Sequence, residues 1–255
     1  MLFKLTNPII KSIVMLTNPA QKGGLSMNIQ LTNICKTYNR RSDYAVEALK
    51  DVTMTIDQGD YIAIMGVSGS GKSTLLNIIG CLDQATTGSY TIDGEIIDRL
   101  DVYDIRNRFV GFVLQSIGLL PDKTILENVS YPLLVSKDIP FSKIKPMAMK
   151  ALEKVGIADL ADRRAAQTSG GQRQRAAIAR AIVGNPEVIL ADEPTAALDS
   201  KTAEDIMELF KGLNKEGRTV VIVTHDKKVA EKCNKIYYVR DGRLAESAEG
   251  EEKQQ

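Results

Sequence analysis

The chain has 255 residues, of which 33 are Lys or Arg and 32 are Asp or Glu, so its formal net charge is only +1. This balance excludes the strongly basic composition typical of nucleic-acid-binding or membrane-surface proteins, and we expect no nucleic-acid partner. The three cysteines, Cys35, Cys81 and Cys233, are far apart and form no C-x-x-C pair, which argues against a zinc site or a disulfide framework.

The two ends of the chain differ in character from the rest. Residues 1–27 contain two copies of Leu-Thr-Asn-Pro and no cleavage site of the signal-peptide type. Codons for residues 22–24 would resemble a ribosome-binding site just before Met27. We therefore interpret residues 1–27 as an N-terminal extension and Met27 as an alternative start of translation. Residues 246–255 are rich in Glu, Gln and Lys and predict a disordered tail.

The first part of the folded region has the pattern of antiparallel strands. Apolar residues alternate with polar neighbours at Ile29, Leu31, Val52, Met54 and Ile56. Residues 88–92, followed by the Asp93-Gly94 turn, predict a further strand. Tyr38 is predicted to lie in the loop between the first two strands, where an exposed aromatic ring could stack on a purine. Packing under the sheet is the alternative for this tyrosine.

A phosphate-binding loop is the strongest signal in the chain. Residues 66–74, Gly66-Val67-Ser68-Gly69-Ser70-Gly71-Lys72-Ser73-Thr74, fit the pattern G-x-x-x-x-G-K-[ST]. The loop follows a predicted buried strand over 61–65 and precedes a predicted helix that ends at Gly80. Its backbone N–H groups and the positive end of the helix would surround phosphate oxygens. Lys72 would then reach the outer phosphates, and the Ser73 hydroxyl would hold Mg²⁺.

A predicted helical insertion covers residues from about 116 to 183, after a predicted strand over 109–114. Gln115 ends that strand, and its amide could reach Mg²⁺ or an attacking water. Helices are predicted over 124–135, 142–155 and 171–183. The third begins at Ser169-Gly170-Gly171-Gln172, the SGGQ segment, which is interpreted as a second anion-binding helix terminus capped by Ser169. A flexible linker would explain the two glycines equally well.

Acidic residues and the only histidine follow two further predicted core strands. Asp192 and Glu193 come directly after residues 187–191, and His225 follows residues 219–224. In a phosphate-loop enzyme, Asp192 would hold Mg²⁺ and Glu193 would orient or deprotonate the attacking water. A neutral His225 could hydrogen-bond the γ-phosphate. Capping of a turn by the two acids, and packing of the histidine, are the structural alternatives.

Strands that alternate with helices predict an α/β fold with ligands at the carboxyl ends of the strands. We expect a P-loop NTPase core with a mostly parallel sheet, an N-terminal antiparallel β subdomain and the helical insertion. The site lacks an obvious arginine finger, the cation that often neutralises γ-phosphate charge. A helix terminus from another subunit could supply that positive potential.

The order of these motifs resembles the ATP-binding cassette (ABC) ATPases over residues 28–245, which would form one ATPase domain. The resemblance implies that Tyr38 stacks on adenine, that Glu193 is the catalytic base and that Asp199 lies in the family's D-loop. By the same resemblance, Gln115 and His225 contact the reacting γ-phosphate region, and the SGGQ segment acts on the nucleotide of a second chain. ATP and Mg²⁺ are therefore the expected ligands.

The resemblance also implies a function. We expect an ATP-hydrolysing subunit of an ABC transporter that pairs with a second copy or a homologous ATPase subunit. It would drive separate integral membrane permease subunits from the cytoplasmic face of the membrane. Lipoprotein-release, macrolide-export and antimicrobial-peptide-export ATPases look most similar. The alternative is a regulatory module that controls a non-transporting membrane partner. Thr168, where the family usually has Leu, and Ala196-Ala197, where it has Gly-Asn, depart from the pattern.

Overall fold

Residues 27–39, 44–97, 102–136 and 139–245 are described in a computed structural model of the chain. Residues 1–26 of the expected extension and the expected tail at 246–255 lie outside this range. The strands in it are β1 (Ile29–Tyr38), β2 (Val46–Ile56), β3 (Tyr61–Met65), β4 (Thr87–Ile92), β5 (Glu95–Ile96), β6 (Val110–Val113), β7 (Val188–Asp192), β8 (Thr219–Thr224), β9 (Lys235–Arg240) and β10 (Arg243–Ala245). The α-helices are α1 (Lys72–Ile79), α2 (Val102–Phe109), α3 (Ile125–Leu134), α4 (Phe141–Lys154), α5 (Gly170–Ile182), α6 (Ser200–Lys215) and α7 (Lys227–Ala230).

The larger sheet has the order β10-β9-β3-β8-β7-β6, and only β10 runs antiparallel to its neighbour. Met65 at the end of β3 lies beside Thr224 of β8, and Asp192 at the end of β7 lies beside Val223. The carboxyl ends of these strands therefore share one edge of the sheet. This confirms the expected mostly parallel core.

Both faces of the central strands are buried, as their continuous apolar sequences require. In β8, Val220 and Ile222 pack in the cluster that holds the insertion helices and α6. Val221 and Val223 face the other way, toward α1 and the antiparallel strands. The sheet is therefore the middle layer of the molecule, with apolar contacts on each side.

The smaller sheet is the expected antiparallel subdomain, with the order β2-β1-β4-β5. Tyr38 was expected in a loop, and that prediction was wrong: it is the last residue of β1 and pairs with Val46. The strand reaches this far because three register irregularities let β1 keep its pairing with β2 beyond Leu31. The short strand β5 was not predicted.

The helical insertion contains α3, α4 and α5, close to the predicted bounds. Thr124 caps α3 in a capping box with Glu127, and Ser169 caps α5 in the same way with Gln172. Gly156, at φ +73°, follows the end of α4. Within the described ranges, none of the helices combines the length and apolar character that crossing a bilayer requires.

The segment before β6 differs from its prediction. Helix α2 occupies residues up to Phe109, so the strand begins at Val110, and it ends at Val113 rather than at Gln115. Val102, Ile105 and Phe109 recur at helical spacing, and the last two are buried. That periodicity was the available signal for α2. The short strand β10, after the predicted Asp241-Gly242 turn, also lacked a prediction.

Two glycines should respond oppositely to substitution by alanine. A methyl group at Gly111 in β6 would lie 2.3 Å from the carbonyl oxygen of Ala181, whereas one at Gly212 inside α6 would meet nothing within 4 Å. We expect Gly111→Ala to lower the free energy of unfolding by roughly 1–3 kcal/mol through overpacking. The matched Gly212→Ala variant should raise it by up to about 1 kcal/mol through helix propensity. Urea unfolding measures both, and an unchanged stability of Gly111→Ala would contradict the packing.

Candidate functional site

The edge formed by the carboxyl ends of β3, β8 and β7 brings the predicted site residues together. The phosphate loop follows β3, His225 follows β8, Asp192 ends β7 and Glu193 comes directly after it. Because β8 lies between β3 and β7, His225 is placed between the loop and the two acids.

The phosphate loop is pressed against two strands, which explains its glycines. At Gly66, φ is +153° and a methyl group would lie 2.2 Å from the carbonyl oxygen of Val239 in β9. At Gly71, φ is +109° and a methyl group would lie 2.5 Å from the carbonyl oxygen of Ala48 in β2. Residues with side chains are excluded at both positions by conformation and by space.

The start of α1 leaves polar groups available to an anion. No side chain in the described part of the chain caps this helix, since its N-cap is Gly71. The buried Lys72 directs Nζ back to the carbonyl oxygens of Gly66 and Val67, each at 2.8 Å. The buried Ser70 hydroxyl has no hydrogen-bond partner among the described residues. Uncapped helix N–H groups, an ammonium and an unpartnered hydroxyl together fit a bound polyphosphate.

Ser73 of this loop and Asp192 beside it could hold a divalent cation. Burial raises the pKa of Asp192, although a hydrogen bond from Ser73 and the positive charge of Lys72 oppose that shift. A half-buried carboxylate that already meets a hydroxyl next to the phosphate site fits Mg²⁺, which prefers one or two carboxylates plus phosphate oxygens. In the described residues, no group of three or more His, Cys, Asp or Glu side chains forms a separate metal site.

Gln115 is an exposed loop residue, two positions beyond the end of β6. The turn that follows it contains Ile117 and Gly118 in the left-handed region, at φ +56° and +57°. Arg180 of α5 donates hydrogen bonds to both of their carbonyl oxygens, at 2.8 and 2.6 Å. The loop is thereby tied to the helical insertion. Sequence reasoning missed this contact, because Arg180 is distant in the chain.

Glu193 and His225 form a hydrogen-bonded pair. His225 Nδ1 lies 2.7 Å from Glu193 Oε1, and the Thr224 hydroxyl donates to Glu193 Oε2 at 3.4 Å. The Glu193 side chain is 11% exposed and that of His225 is 67% exposed. Glu193 also holds a left-handed backbone at φ +47°, where its N–H donates to the carbonyl oxygen of Val223. A largely buried carboxylate that two side chains hold in place can act as a general base.

The SGGQ segment forms the start of α5, and its own side chains satisfy part of that helix terminus. The Ser169 hydroxyl accepts from Gln172 N, and Gln172 Oε1 accepts from Ser169 N. A methyl group at Gly171 would lie 2.6 Å from Thr202 Cγ2, so α5 begins directly against the start of α6. Asp199 caps α6, and its carboxylate accepts from Lys201 N, Thr202 N and the Thr202 hydroxyl.

Thr168 is accommodated without disturbing the SGGQ segment. The residue is buried, and its hydroxyl donates to the carbonyl oxygen of Ala165 at 2.8 Å. The polar atom that replaces part of the usual leucine is therefore hydrogen-bonded.

Tyr38 lies beside Asp83, which is in the segment that follows the end of α1. Its hydroxyl donates to Asp83 Oδ2 at 2.7 Å, and Lys36 Nζ lies 4.7 Å from the centre of its ring. The residue remains 37% exposed. Sequence reasoning missed both neighbours. The spacing of Lys36 and Tyr38 on one face of a strand was a signal for the first, and nothing local indicates Asp83.

Comparisons with known proteins give one family. A family model described as ABC transporter matches residues 49–196. The chain is 47% identical to the uncharacterized ABC transporter ATP-binding protein YknY of Bacillus subtilis, over 88% of this chain and 97% of that protein. It is 44% identical to the macrolide export ATP-binding/permease protein MacB of Brucella melitensis, over 85% of this chain and 34% of that protein.

Solved structures of MJ0796 from Methanocaldococcus jannaschii give the same result. A dimeric structure of this ABC transporter cassette has a TM-score of 0.77 at 45% identity, over 85% of this chain and 96% of that chain. A second dimeric structure, of a post-hydrolysis state bound to ADP and Pi, has a TM-score of 0.77 at 44% identity with the same coverage.

The fit of the phosphate loop against β2 can be tested with Gly71→Ala. Because the methyl group would collide with the backbone of Ala48, we expect affinity for ATP to fall by roughly tenfold or more. Gly59→Ala is a matched control, since Gly59 also has a positive φ of +81° but no atom within 4 Å of the added methyl group. Calorimetric titration should show ATP affinity within about twofold of wild type for the control. Equal affinities for both variants would contradict the close approach.

Proposed function

The chain belongs to the ABC transporter family as an ATP-binding, ATP-hydrolysing subunit, and from this premise we propose that two such subunits close around ATP to drive a membrane permease. The observation that carries the proposal is the juxtaposition of the uncapped α1 terminus with Asp192 and the Glu193–His225 pair. ATP would bind with its phosphates in the loop of residues 66–74. Tyr38 would contact the adenine.

The metal would bind between the phosphates and the protein. Ser73 and Asp192 would hold Mg²⁺, and Gln115 would reach it from the loop tied to Arg180. When bound, Mg²⁺ neutralises charge on the β- and γ-phosphates. Lys72 would exchange its bonds to Gly66 and Val67 for phosphate oxygens.

Hydrolysis would use Glu193 as the base. Its carboxylate would accept a proton from water while the water oxygen attacks the γ-phosphorus and the bond to the β–γ bridging oxygen breaks. His225 keeps Glu193 oriented through Nδ1, and its exposed ring edge would contact the γ-phosphate. Loss of that phosphate would remove the contact and favour reopening of the dimer.

The partner for closure would be a second copy of this chain or a homologous ATPase subunit. One phosphate loop is present per chain, and the SGGQ segment lies against α6 in its own chain. Its helix terminus would bind the γ-phosphate held by the partner. The dimeric structures of MJ0796 support this arrangement.

Membrane permease subunits are the second proposed partner. Large apolar side chains that are 36–82% exposed lie in the loop after β6 and on the helical insertion, at Leu114, Leu120, Tyr131, Leu134, Val135 and Phe141. Exposed apolar side chains concentrated in this part of the chain suit docking of an apolar partner surface. The name of MacB joins macrolide export with ATP-binding and permease functions in one protein, which supports an exporter; a lipoprotein- or peptide-handling system is the other form of the proposal. The subunit would then lie on the cytoplasmic face of the membrane. No observation favours the regulatory alternative.

The role of Glu193 is tested by Glu193→Gln. The amide keeps the shape but cannot accept the proton, so we expect turnover to fall by about 10²–10⁴-fold. ATP binding should persist. Phosphate release and calorimetric titration measure the two properties. Glu216→Gln, on a surface residue paired with Lys154, should turn over like wild type. Wild-type turnover by Glu193→Gln would refute the assignment of the base.

Action of the SGGQ segment across the dimer is tested by mixing two inactive variants. Glu193→Gln chains lack the base, and Ser169→Arg chains block the helix terminus. A mixed dimer contains one complete site only if Ser169 of one chain serves the Glu193 of the other. We expect the mixture to regain ATPase activity that neither variant has alone. If the terminus served its own chain, both sites would stay defective and no activity would return.

A further inference from the structure

Two charged side chains hold the ring of Tyr38 from different directions. Lys36, two positions earlier on β1, places its ammonium 4.7 Å from the ring centre. Lys36 Nζ also donates to Asp83 Oδ1 at 2.5 Å and to the carbonyl oxygen of Gln84 at 2.8 Å. The Tyr38 hydroxyl donates to Asp83 Oδ2 at 2.7 Å. Each of the three side chains therefore contacts the other two, and we call this set the Tyr38 triangle.

The charges in the Tyr38 triangle are partly removed from water. The Lys36 side chain is 12% exposed and that of Asp83 is 29% exposed. Partial burial would raise the pKa of Asp83, but hydrogen bonds from Lys36 and Tyr38 outweigh it and hold the pKa below its ordinary value. Burial raises the pKa of Tyr38, although a hydrogen bond with Thr74 opposes that shift, and the phenol donates to Asp83. Cation–π attraction and charged hydrogen bonds both strengthen in such surroundings.

Asp83 is fixed to the helix that begins at the phosphate loop. The N–H groups of Leu82 and Asp83 both donate to the carbonyl oxygen of Asn77 in α1, at 2.8 and 3.2 Å. The chain turns there through Cys81, which has a left-handed φ of +57°. Hydrogen bonds therefore connect Tyr38, through Asp83, to the helix α1 that begins at the phosphate loop.

We propose that Asp83 and Lys36 are positioning residues for the nucleobase, holding the Tyr38 ring at a fixed distance from the phosphate loop with one face free. The proposal rests on the nucleotide site proposed above. Lys36 covers one face of the ring, so a base can stack only on the other. A ring that is already held loses less rotational freedom when a base stacks on it. The triangle would therefore strengthen binding of the base without touching the nucleotide.

The test compares a ligand that has a base with one that lacks it. Mg²⁺-ATP and inorganic tripolyphosphate share the phosphate contacts, and calorimetric titration gives Kd for each. Asp83→Asn keeps the side-chain shape and removes the charge, and Lys36→Met removes the ammonium. For each variant we expect Kd for ATP to rise about three- to tenfold, which corresponds to the entropic cost of immobilising one side chain on binding. Kd for tripolyphosphate should stay within about twofold of wild type.

The same substitution made in a Tyr38→Ala chain distinguishes an effect on the position of the Tyr38 ring from an effect on the stability of the fold. In a Tyr38→Ala chain, adding Asp83→Asn should change Kd for ATP by less than about twofold, because the held ring is gone. Asp60→Asn is the matched control: it breaks a 2.8 Å pair with Lys235 at the opposite end of β3. It should change neither Kd. Thermal unfolding of every variant confirms that it is folded.

Equal weakening of ATP and tripolyphosphate would overturn the positioning role while leaving the nucleotide site intact. A full additional loss from Asp83→Asn in the Tyr38→Ala chain would overturn it too. Wild-type protein that bound neither ligand would overturn the nucleotide site itself and this proposal with it.

Discussion

Parallel pairing of β3, β8 and β7 is the constraint on which the site depends. The register sets Met65 beside Thr224 and Asp192 beside Val223, so three chain segments leave the sheet at the same edge. A shift of one residue would exchange the buried faces of β8, whose alternate valines pack into different apolar clusters. The packing that fixes the register therefore also fixes the distance from the phosphate loop to Asp192 and Glu193.

The two helix termini proposed to bind anions, at the starts of α1 and α5, differ in their capping. The start of α1 has no side-chain cap, whereas the start of α5 is closed by the reciprocal bonds of Ser169 and Gln172. An uncapped terminus suits a site that holds phosphate for most of its cycle. The capping box at α5 satisfies the N–H groups of Ser169 and Gln172 within the single chain, and the first-turn N–H groups of Gly170 and Gly171 receive no bond from it, so this terminus suits a surface that meets its anion only when a partner arrives.

The local parts of this site were predictable from sequence, and the long-range supports were not. The phosphate loop, Asp192-Glu193 and His225 are each defined by neighbours in the chain, and strand pattern sufficed to place them at one edge. The end of β1 was misplaced because pairing across register irregularities depends on β2, not on local alternation. The hydrogen bond from Arg180 to the carbonyl oxygen of Gly118 joins residues 62 positions apart, and the bond from Tyr38 to Asp83 joins residues 45 positions apart. No local pattern encodes such pairs.

A single short segment connects β7 to the contact with the helix terminus that the chain would present to a partner. Glu193 leaves β7 in a left-handed conformation, and Asp199 then caps α6. Between and just after them, Leu198 and Thr202 lie against Gly170 and Gly171 of α5. The spacing at Gly171 leaves no room for a side chain, so a displacement of the segment from 193 to 202 must also displace the start of α5. In the proposed dimer, the same packed contact would therefore set the position of Glu193 in one site and of the SGGQ segment in the other.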